Sequence, residues 1–190
     1  SPCHISKDPE TGWRNAGTYR AMVHDKNHIG IQLAPYRHLA LQCQKAHAKG
    51  RPFPVAVAMG MDPAIYVAAV APIPQEVDEI AVAGALRGEA VEMVKCRTID
   101  AEVPATAEIV LEGEVLPGDM KEEGPFGEFT GYYGERSIRP VITVKGITFR
   151  NRPIMLGSYI GRPPHETSVT ESIPHEAEIM RSVTLAGLGK

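Results

Sequence analysis

The stretch Ala107-Glu-Ile-Val-Leu-Glu-Gly-Glu-Val115 is rich in Ile, Val and Leu and predicts a β-strand. A second stretch, Pro140–Arg150, is rich in Val, Ile and Thr and predicts another. The same kind of composition, often bounded by Gly or Pro, predicts four further strands over Ile29–Leu33, Pro54–Met59, Val91–Cys96 and Pro153–Tyr159. Strands therefore dominate the predicted fold, and helices fill the crossings between them.

Four segments have helical patterns: Tyr36–Lys49, Pro63–Val70, Gln75–Leu86 and Glu176–Leu185. Asp62 is a suitable N-cap for the second helix, which would have Pro63 at its first position. Gly50 and Gly88 follow the first and third helices as stops. We therefore predict an α+β fold in which the strands curl into a barrel and the helices cross between them.

The composition limits the classes of function. The chain has 190 residues, of which 43% are hydrophobic, enough for one compact domain. Its net charge of -3 argues against a nucleic-acid partner, and no apolar run or leader pattern indicates a membrane or secretory segment. Three widely spaced cysteines without a CxxC motif predict a reducing, cytoplasmic compartment. Because the chain lacks an initiating methionine and stops just after a predicted helix, we expect it to be a segment of a longer protein.

Two acidic residues flank a turn in the segment Glu123-Gly-Pro-Phe-Gly-Glu128. Residues five apart point to opposite faces of a straight strand, but a turn between them lets both carboxylates enter one pocket. Two carboxylates in one pocket suit acid–base chemistry, because one can stay ionised while the other holds a proton. Taken alone, the segment is explained more simply as a surface turn with two solvated acids.

The segment Asn15-Ala-Gly-Thr-Tyr-Arg20 ends on an arginine that follows uncharged residues. The planar guanidinium suits a carboxylate or a phosphate. In a regular strand Asn15 and Arg20 would face opposite ways, so both can serve one site only if the strand bulges, with Gly17 as the candidate. On its own, the segment favours an edge strand with a solvated arginine.

Further candidates lie near predicted helix starts. His38 is in the first turn of the Tyr36–Lys49 helix, where the helix dipole favours a neutral, ligating imidazole and where phosphate can bind. Glu76, Asp78 and Glu79 lie near the start of a later helix. We assign Glu76 and Asp78 to favourable charge at that helix N-terminus and Glu79 to a hard oxygen ligand that points inward.

Together these segments resemble the UbiD family of prenylated-FMN-dependent decarboxylases. The resembling phrases occur in the family's order over most of the chain: RAMVHDKNHIGI (20–31), APIPQEVDE (71–79), VEMVKC (91–96), VPATAEIVLEGE (103–114), EGPFGEFTGY (123–132) and GRPPHET (161–167). The spacing from Arg20 to His38 fits as well. The resemblance implies a split β-barrel of the flavin reductase type, with crossing helices.

The resemblance also implies a site. The catalytic Glu–Arg–Glu set of the family falls on Glu123, Arg20 and Glu128. A divalent metal, Mn2+ or Mg2+, would clamp the cofactor phosphate through Asn15, His38 and Glu79, ligands that suit a hard cation. The implied K+ site uses backbone carbonyls near Ala68, Ala69 and Ala71 and shares Glu79. The implied contacts to prenylated FMN are Asn15, Thr18, Tyr19, Arg20, Arg37, His38, Ala71, Pro72 and Glu79.

Two positions depart from the family pattern: Ala16 replaces a tryptophan and Arg37 replaces a glutamine found in some relatives. Family members are several hundred residues long, so we expect an N-terminal segment and a C-terminal domain to be missing. The resemblance further implies a homo-oligomer at full length and a flavin prenyltransferase that supplies the cofactor.

The implied reaction is the reversible loss of CO2 from an aromatic or α,β-unsaturated carboxylic acid. Such a reaction needs an organic electron sink, which the cofactor supplies. Arg20 would orient the substrate carboxylate, Glu123 would hold Arg20, and Glu128 would be the proton donor. The weak candidates for substrate contact are Tyr132, Tyr133 and His165. Two other functions stay open, a flavin-binding or assembly module without chemistry of its own and a flavin reductase.

Overall fold

The computed structural model describes residues 2–188. Seven strands form the main sheet: β1 (Cys3–Lys7), β2 (Arg14–Gly17), β3 (Ala21–Val23), β4 (His28–Ile31), β5 (Phe53–Met59), β8 (Ile109–Glu123) and β11 (Ser137–Phe149). Two small antiparallel pairs complete the strands: β6 (Met93–Lys95) with β7 (Glu102–Pro104), and β9 (Phe126–Gly127) with β10 (Tyr133–Gly134). The order across the main sheet is β2-β1-β5-β8-β11-β4-β3, with every pair antiparallel.

A long ribbon of β8 and β11 forms the middle of the sheet. Both strands were predicted, but β8 runs eight residues beyond the predicted end at Val115, to Glu123. Register shifts near Pro140 and near Gly146 bend the ribbon. The extension matters for the site, because it carries Glu123 to the far end of the ribbon.

The sheet curls because its two edge strands are neighbours in sequence. β2 and β3 lie at opposite edges, yet only residues 18–20 separate them. Four peptide units span at most about 14 Å, so the two edges must approach each other at this point. The predicted α+β fold with a split barrel is confirmed. Gly17, the candidate for a bulge, is instead the last residue of β2, and Arg20 lies in the connection that crosses the seam between the two edges.

Residues 2–188 form four helices: α1 (His38–Ala48), α2 (Pro63–Val70), α3 (Glu79–Arg87) and α4 (Glu166–Leu185). The first three pack on the sheet, whereas α4 contacts α2 and buries none of its residues. α2 has its predicted bounds, and the Asp62 carboxylate accepts the Ala64 N–H at 2.8 Å. α1 begins two residues later than predicted. α3 begins at Glu79 and not at Gln75, because the side chain of Asp78 accepts the Ile80 N–H at 2.8 Å and so starts the helix there.

The C-terminal part of the chain differs most from the prediction. α4 begins ten residues earlier than predicted, after His165, whose Nδ1 accepts the Ser168 N–H at 3.1 Å in a capping box. The strand predicted over Pro153–Tyr159 is wrong, since this segment has no regular structure. This segment belongs to none of the sheets formed by residues 2–188, and Ile154 within it is 76% exposed.

Two apolar clusters form the core. One lies between the sheet and helices α2 and α3, and the other lies between the sheet and α1, where Cys43 is buried. The cysteines Cys3, Cys43 and Cys96 are all free. Across residues 2–188, no helix has both the length and the apolar character needed to cross a membrane.

Candidate active site at the seam of the barrel

Arg20 lies in the connection that joins the two edges of the sheet. Its backbone carbonyl accepts the Gln32 N–H at 3.0 Å, which fixes the connection beside β4. Its side chain is 14% exposed and is clamped by two carboxylates. Nη2 donates to Glu123 Oε2 at 2.6 Å, and Nη1 donates to Glu128 Oε1. The guanidinium is thus held at both of its terminal nitrogens.

The two carboxylates are delivered by different elements. Glu123 is the last residue of β8 and is completely buried. Glu128 follows β9 in the β9–β10 hairpin, and its side chain keeps 32% exposure. Phe126 of the same hairpin lies under the guanidinium, with its ring centroid 4.8 Å from Arg20 Cζ. The hairpin therefore places an aromatic face and an accessible acid against Arg20.

We call Arg20, Glu123 and Glu128 together the clamp. The two carboxylates of the clamp keep Arg20 positively charged. Partial burial of the guanidinium works against its charge, but the hydrogen bonds and charges of Glu123 and Glu128 outweigh burial and raise the pKa of Arg20. Nε of Arg20 is buried and makes no hydrogen bond to any part of the chain from residue 2 to 188. As predicted, the turn between Glu123 and Glu128 lets both carboxylates reach one pocket, where both contact the Arg20 guanidinium.

A second cluster lies on the other side of the connection, where β2 meets α1 and α3. Glu79 is 5% exposed, and its Oε2 accepts the Ala16 N–H at 3.0 Å. Its Oε1 lies 3.9 Å from His38 Nδ1. Burial raises the pKa of Glu79 to about 7, and burial together with the charge of Arg37 lowers the pKa of His38. Glu79 is therefore poised near neutrality, whereas the lowered pKa of His38 favours its neutral imidazole form.

Asn15 is the third member of the predicted ligand set. It is 2% exposed and precedes Ala16, and its Nδ2 has no hydrogen-bond partner among the described residues. The structure therefore brings His38 and Glu79 together, and it joins β2 to Glu79 through the backbone of Ala16, the residue after Asn15. Within residues 2–188, no group of three His, Cys, Asp or Glu side chains is arranged to hold a metal ion.

Tyr19 joins the two clusters. Its hydroxyl accepts the Leu39 N–H at 3.3 Å in the first turn of α1, and its ring lies 5.2 Å from the guanidinium carbon of Arg37. Arg37 in turn donates to the Thr18 carbonyl at 3.4 Å. The connection that carries Arg20 is thus tied to the helix start that carries His38. Arg37 supplies no side-chain cap to α1, which leaves the positive end of this helix available to an anion.

Other candidate residues lie elsewhere. Ala71 caps the C-terminal end of α2, and Pro72 follows it as an exposed residue. Tyr132 and Tyr133 are each 79% exposed at the tip of the β9–β10 hairpin. His165 is buried at the start of α4, where it caps the helix. None of these positions makes a contact that assigns it to the clamp.

Sequence reasoning missed two contributors to the clamp. Phe126 was read only as part of a turn, although its ring supports Arg20. Arg139 of β11 was not considered, yet its Nε lies 3.8 Å from Glu123 Oε2. The signal in the sequence for Arg139 is a charged residue directly before the predicted strand Pro140–Arg150.

Comparison with known proteins assigns the family. A sequence profile described as "3-octaprenyl-4-hydroxybenzoate carboxy-lyase Rift-related domain", of the UbiD family, matches residues 1–163. An evolved dimeric form of the UbiD-class enzyme HmfF from Pelotomaculum thermopropionicum, solved with prFMN, is 40% identical with a TM-score of 0.90. The match covers 96% of this chain and 42% of HmfF.

Two further solved structures extend the comparison. The apo 3,4-dihydroxybenzoic acid decarboxylase AroY from Klebsiella pneumoniae is 35% identical with a TM-score of 0.87, over 99% of this chain and 41% of AroY. Nitrilotriacetate monooxygenase component B from Bacillus cereus is 13% identical with a TM-score of 0.51, over 81% of this chain and 73% of that protein, and shows a shared fold alone. The chain thus spans less than half the length of the enzymes that it matches at 35–40% identity. The profile over residues 1–163 and the two UbiD-class structures show that this chain belongs to the UbiD family of carboxy-lyases.

Proposed function

We propose that the chain is the cofactor-binding part of a reversible, non-oxidative decarboxylase that acts on aromatic or α,β-unsaturated carboxylic acids. One observation carries the proposal: a single arginine, Arg20, is held between a buried acid, Glu123, and an accessible acid, Glu128. A guanidinium in this setting is suited to receive a substrate carboxylate, and the accessible acid beside it is suited to move a proton.

Each residue of the clamp would have its own role. Glu123 is fully buried and stays on Arg20, so it holds the guanidinium in place. Glu128 lies on a hairpin and is partly exposed, so it can leave Nη1 of Arg20 to a substrate carboxylate. Once displaced, Glu128 would protonate the substrate carbon after CO2 departs, and would act as the base in the reverse direction.

The cofactor that we propose is prenylated FMN, which is bound in the HmfF structure. When bound, it supplies the electron sink that loss of CO2 from an unsaturated carbon requires. The start of α1, Arg37 and His38 would face its phosphate, since an uncapped helix start with a guanidinium suits an anion. The backbone of Thr18, Tyr19, Ala71 and Pro72 would line the remaining part of this site.

The residues present also fit the proposed metal site, whose ligands would be Asn15, His38 and Glu79. Glu79 is a buried acid with no Lys or Arg ion pair in the described part of the chain; His38 Nδ1 lies 3.9 Å from its carboxylate, which also accepts the N–H of Ala16, the residue after Asn15. A hard divalent cation, Mn2+ or Mg2+, would supply the missing positive charge between these groups and a phosphate. K+ at the carbonyls of Ala68, Ala69 and Ala71, shared with Glu79, is proposed with it.

The partners follow from the same proposal. The substrate would be an unsaturated or aromatic carboxylic acid, with CO2 as the second product, and a flavin prenyltransferase would supply the cofactor. The chain would be one domain of a longer, homo-oligomeric protein, since it covers 42% of HmfF. The free cysteines support a reducing, cytoplasmic compartment as the setting.

The proposal is tested on a version of the protein extended to the length of its relatives and produced together with a flavin prenyltransferase. We expect the mass and absorbance spectra of the released ligand to be those of prenylated FMN, and a panel of acids that includes 3,4-dihydroxybenzoic acid and acrylic acids to contain a substrate. Bound flavin without turnover of any acid would favour the binding module. Oxidation of a reduced nicotinamide by the flavin-loaded protein would favour the flavin reductase.

A further inference from the structure

The Glu123 carboxylate contacts a second arginine besides Arg20. Its Oε2 accepts from Arg20 at 2.6 Å and lies 3.8 Å from Nε of Arg139. Its Oε1 is buried and has no hydrogen-bond partner between residues 2 and 188. A fully buried carboxylate normally satisfies both oxygens, because an unpaired buried acceptor is costly. The environment on the β11 side of Glu123 is therefore relevant to the clamp.

Two donors face Glu123 from β11. Ser137 is the direct partner of Glu123 in the β8–β11 ladder, and Arg139 lies two residues further along, so both side chains are on the same face of the ribbon as Glu123. Ser137 Oγ and Arg139 Nε are themselves buried without hydrogen-bond partners in the described structure. One buried acceptor and two buried donors thus lie together at the end of the ribbon.

The charges of the proposed reaction require a second cation at this place. With a substrate carboxylate bound and Glu128 protonated for its role as the acid, two negative groups would meet at Arg20: the substrate and Glu123. A single guanidinium balances only one of these two anions in a site from which water is largely excluded. Arg139 is the additional cation nearest to Glu123 in the set of ion pairs formed by residues 2–188.

We propose that Arg139, assisted by Ser137, is a positioning residue for the clamp. It holds the Glu123 carboxylate from the β11 side, so that Glu123 keeps Arg20 oriented while Glu128 and the substrate exchange on the other terminal nitrogen. The positioning of Arg20 follows from the geometry alone, whereas its consequence for turnover rests on the proposed function.

The positioning is tested in the 190-residue chain by NMR of the arginine side chains. Rotation of a guanidinium about Cζ–Nη is slowed when carboxylates hold its terminal nitrogens, so Arg20 should give separate, slowly exchanging Nη–H signals, assigned with Arg20→Lys. We expect Arg139→Met to average these signals and Arg139→Lys to retain them. Arg136→Met is the matched control, because Arg136 is 67% exposed directly before the same strand and, among residues 2–188, forms its ion pair with exposed Glu122.

The NMR spectrum of Arg139→Met can either support or overturn the proposal. Unchanged Arg20 signals in Arg139→Met, with the remaining amide spectrum also unchanged, would overturn the proposal. Should Arg139→Met not fold, Arg139→Gln provides the same neutral replacement with a more conservative shape, and averaged signals there support the proposal in the same way.

A second measurement uses the extended, cofactor-loaded enzyme. We expect Arg139→Met to lower kcat/KM by about 10-fold to 100-fold, since displacement of a positioned group has effects of this size. Arg139→Lys should recover most of the loss, and Arg136→Met should match wild type. An inactive wild type would contradict the proposed function and leave the NMR result untouched, so the two failures are distinguishable.

Discussion

At the scale of single residues, the site depends on contacts between distant parts of the chain. Glu123 and Glu128 reach Arg20 across 103 and 108 residues of sequence. No local pattern in either segment reveals the other, which is why each one taken alone predicts only solvated side chains. The resemblance of ordered motifs to a known family placed the three residues together, and the fold brings them into contact.

The first prediction concerns His38. Replacing His38 with Ala removes the imidazole that lies 3.9 Å from Glu79 and would complete the metal and phosphate site. We expect the extended protein to lose most of its bound flavin, while its free energy of unfolding changes little because His38 is partly exposed. Flavin content after desalting and a chemical unfolding curve measure the two quantities.

The control for His38 is removal of the metal with EDTA. Wild type treated with EDTA should lose flavin as His38→Ala does. Equal flavin retention in wild type, in EDTA-treated wild type and in His38→Ala would show that no metal site exists at this position.

The second prediction concerns pH and His4. This side chain is fully buried without a hydrogen-bond partner in the described structure, and burial lowers its pKa from 6.5 to about 4. Because the unfolded chain binds the proton more readily, stability is highest above pH 6.5 and falls as the pH drops toward 4. One such group costs about 2 kcal/mol of unfolding free energy between pH 7 and pH 5.

Urea unfolding at the two pH values measures this loss. His4→Leu removes the titrating ring and keeps an apolar side chain, so its unfolding free energy should fall less over the same range. An identical pH dependence in His4→Leu and wild type would exclude His4 as the source.

At the scale of elements, Glu112 shows how a strand can fix a loop. This β8 residue is 2% exposed, and its carboxylate accepts the Thr98 N–H at 2.6 Å and the Thr98 hydroxyl at 2.7 Å. It also accepts the Arg97 N–H at 2.9 Å. The connection between β6 and β7 is therefore fastened to the centre of the sheet by one acid.

The third prediction follows from this fastening. Glu112→Gln replaces one acceptor oxygen with a donor that faces other donors, so we expect a loss of about 1–3 kcal/mol in unfolding free energy. Glu122→Gln is the control, because Glu122 forms an exposed pair with Arg136 and such pairs contribute little. Thermal and urea unfolding measure the stability of both variants. Equal unfolding free energies for Glu112→Gln and Glu122→Gln would contradict the role given to Glu112.

The elements also show where sequence reasoning succeeds. α2 has its predicted bounds because Asp62 and Pro63 specify a helix start through local chemistry. The segment Pro153–Tyr159 has strand-like composition but joins none of the sheets formed by residues 2–188, and strand composition describes a half-buried surface more than a backbone preference. The extension of β8 was missed because Pro117 and Gly118 lie in an irregularity of the ladder, beyond which pairing with β11 resumes at Met120.

At the scale of the whole molecule, the closure of the sheet creates the site. The connection from β2 to β3 crosses the seam, and it carries Arg20 on one side and contacts the start of α1 on the other. The α+β class and the barrel could be predicted from the strands and helices. The approach of the two edge strands, β2 and β3, could not be predicted, because strand order across a sheet depends on long-range pairing that no segment encodes alone.

The fourth prediction concerns the chain as a unit. Its two buried clusters should let residues 1–190 fold alone, but the chain covers only 42% of HmfF. We expect this chain to bind flavin weakly and to show no measurable decarboxylation, since a half-open cleft does not exclude water. Turnover assays with the chain alone, then with the remaining domain added in trans, test this, and robust activity of the chain alone would contradict it.

The central claim, that Arg20 and its two acids form a decarboxylase site, is tested most directly by Glu128→Gln in the extended, cofactor-loaded protein. Decarboxylation of an identified substrate is measured for wild type and variant at equal content of prenylated FMN. Our account predicts that the variant retains the cofactor and loses about 10²-fold to 10⁴-fold or more in turnover, because it lacks the positioned acid. Wild-type turnover in Glu128→Gln would contradict the account.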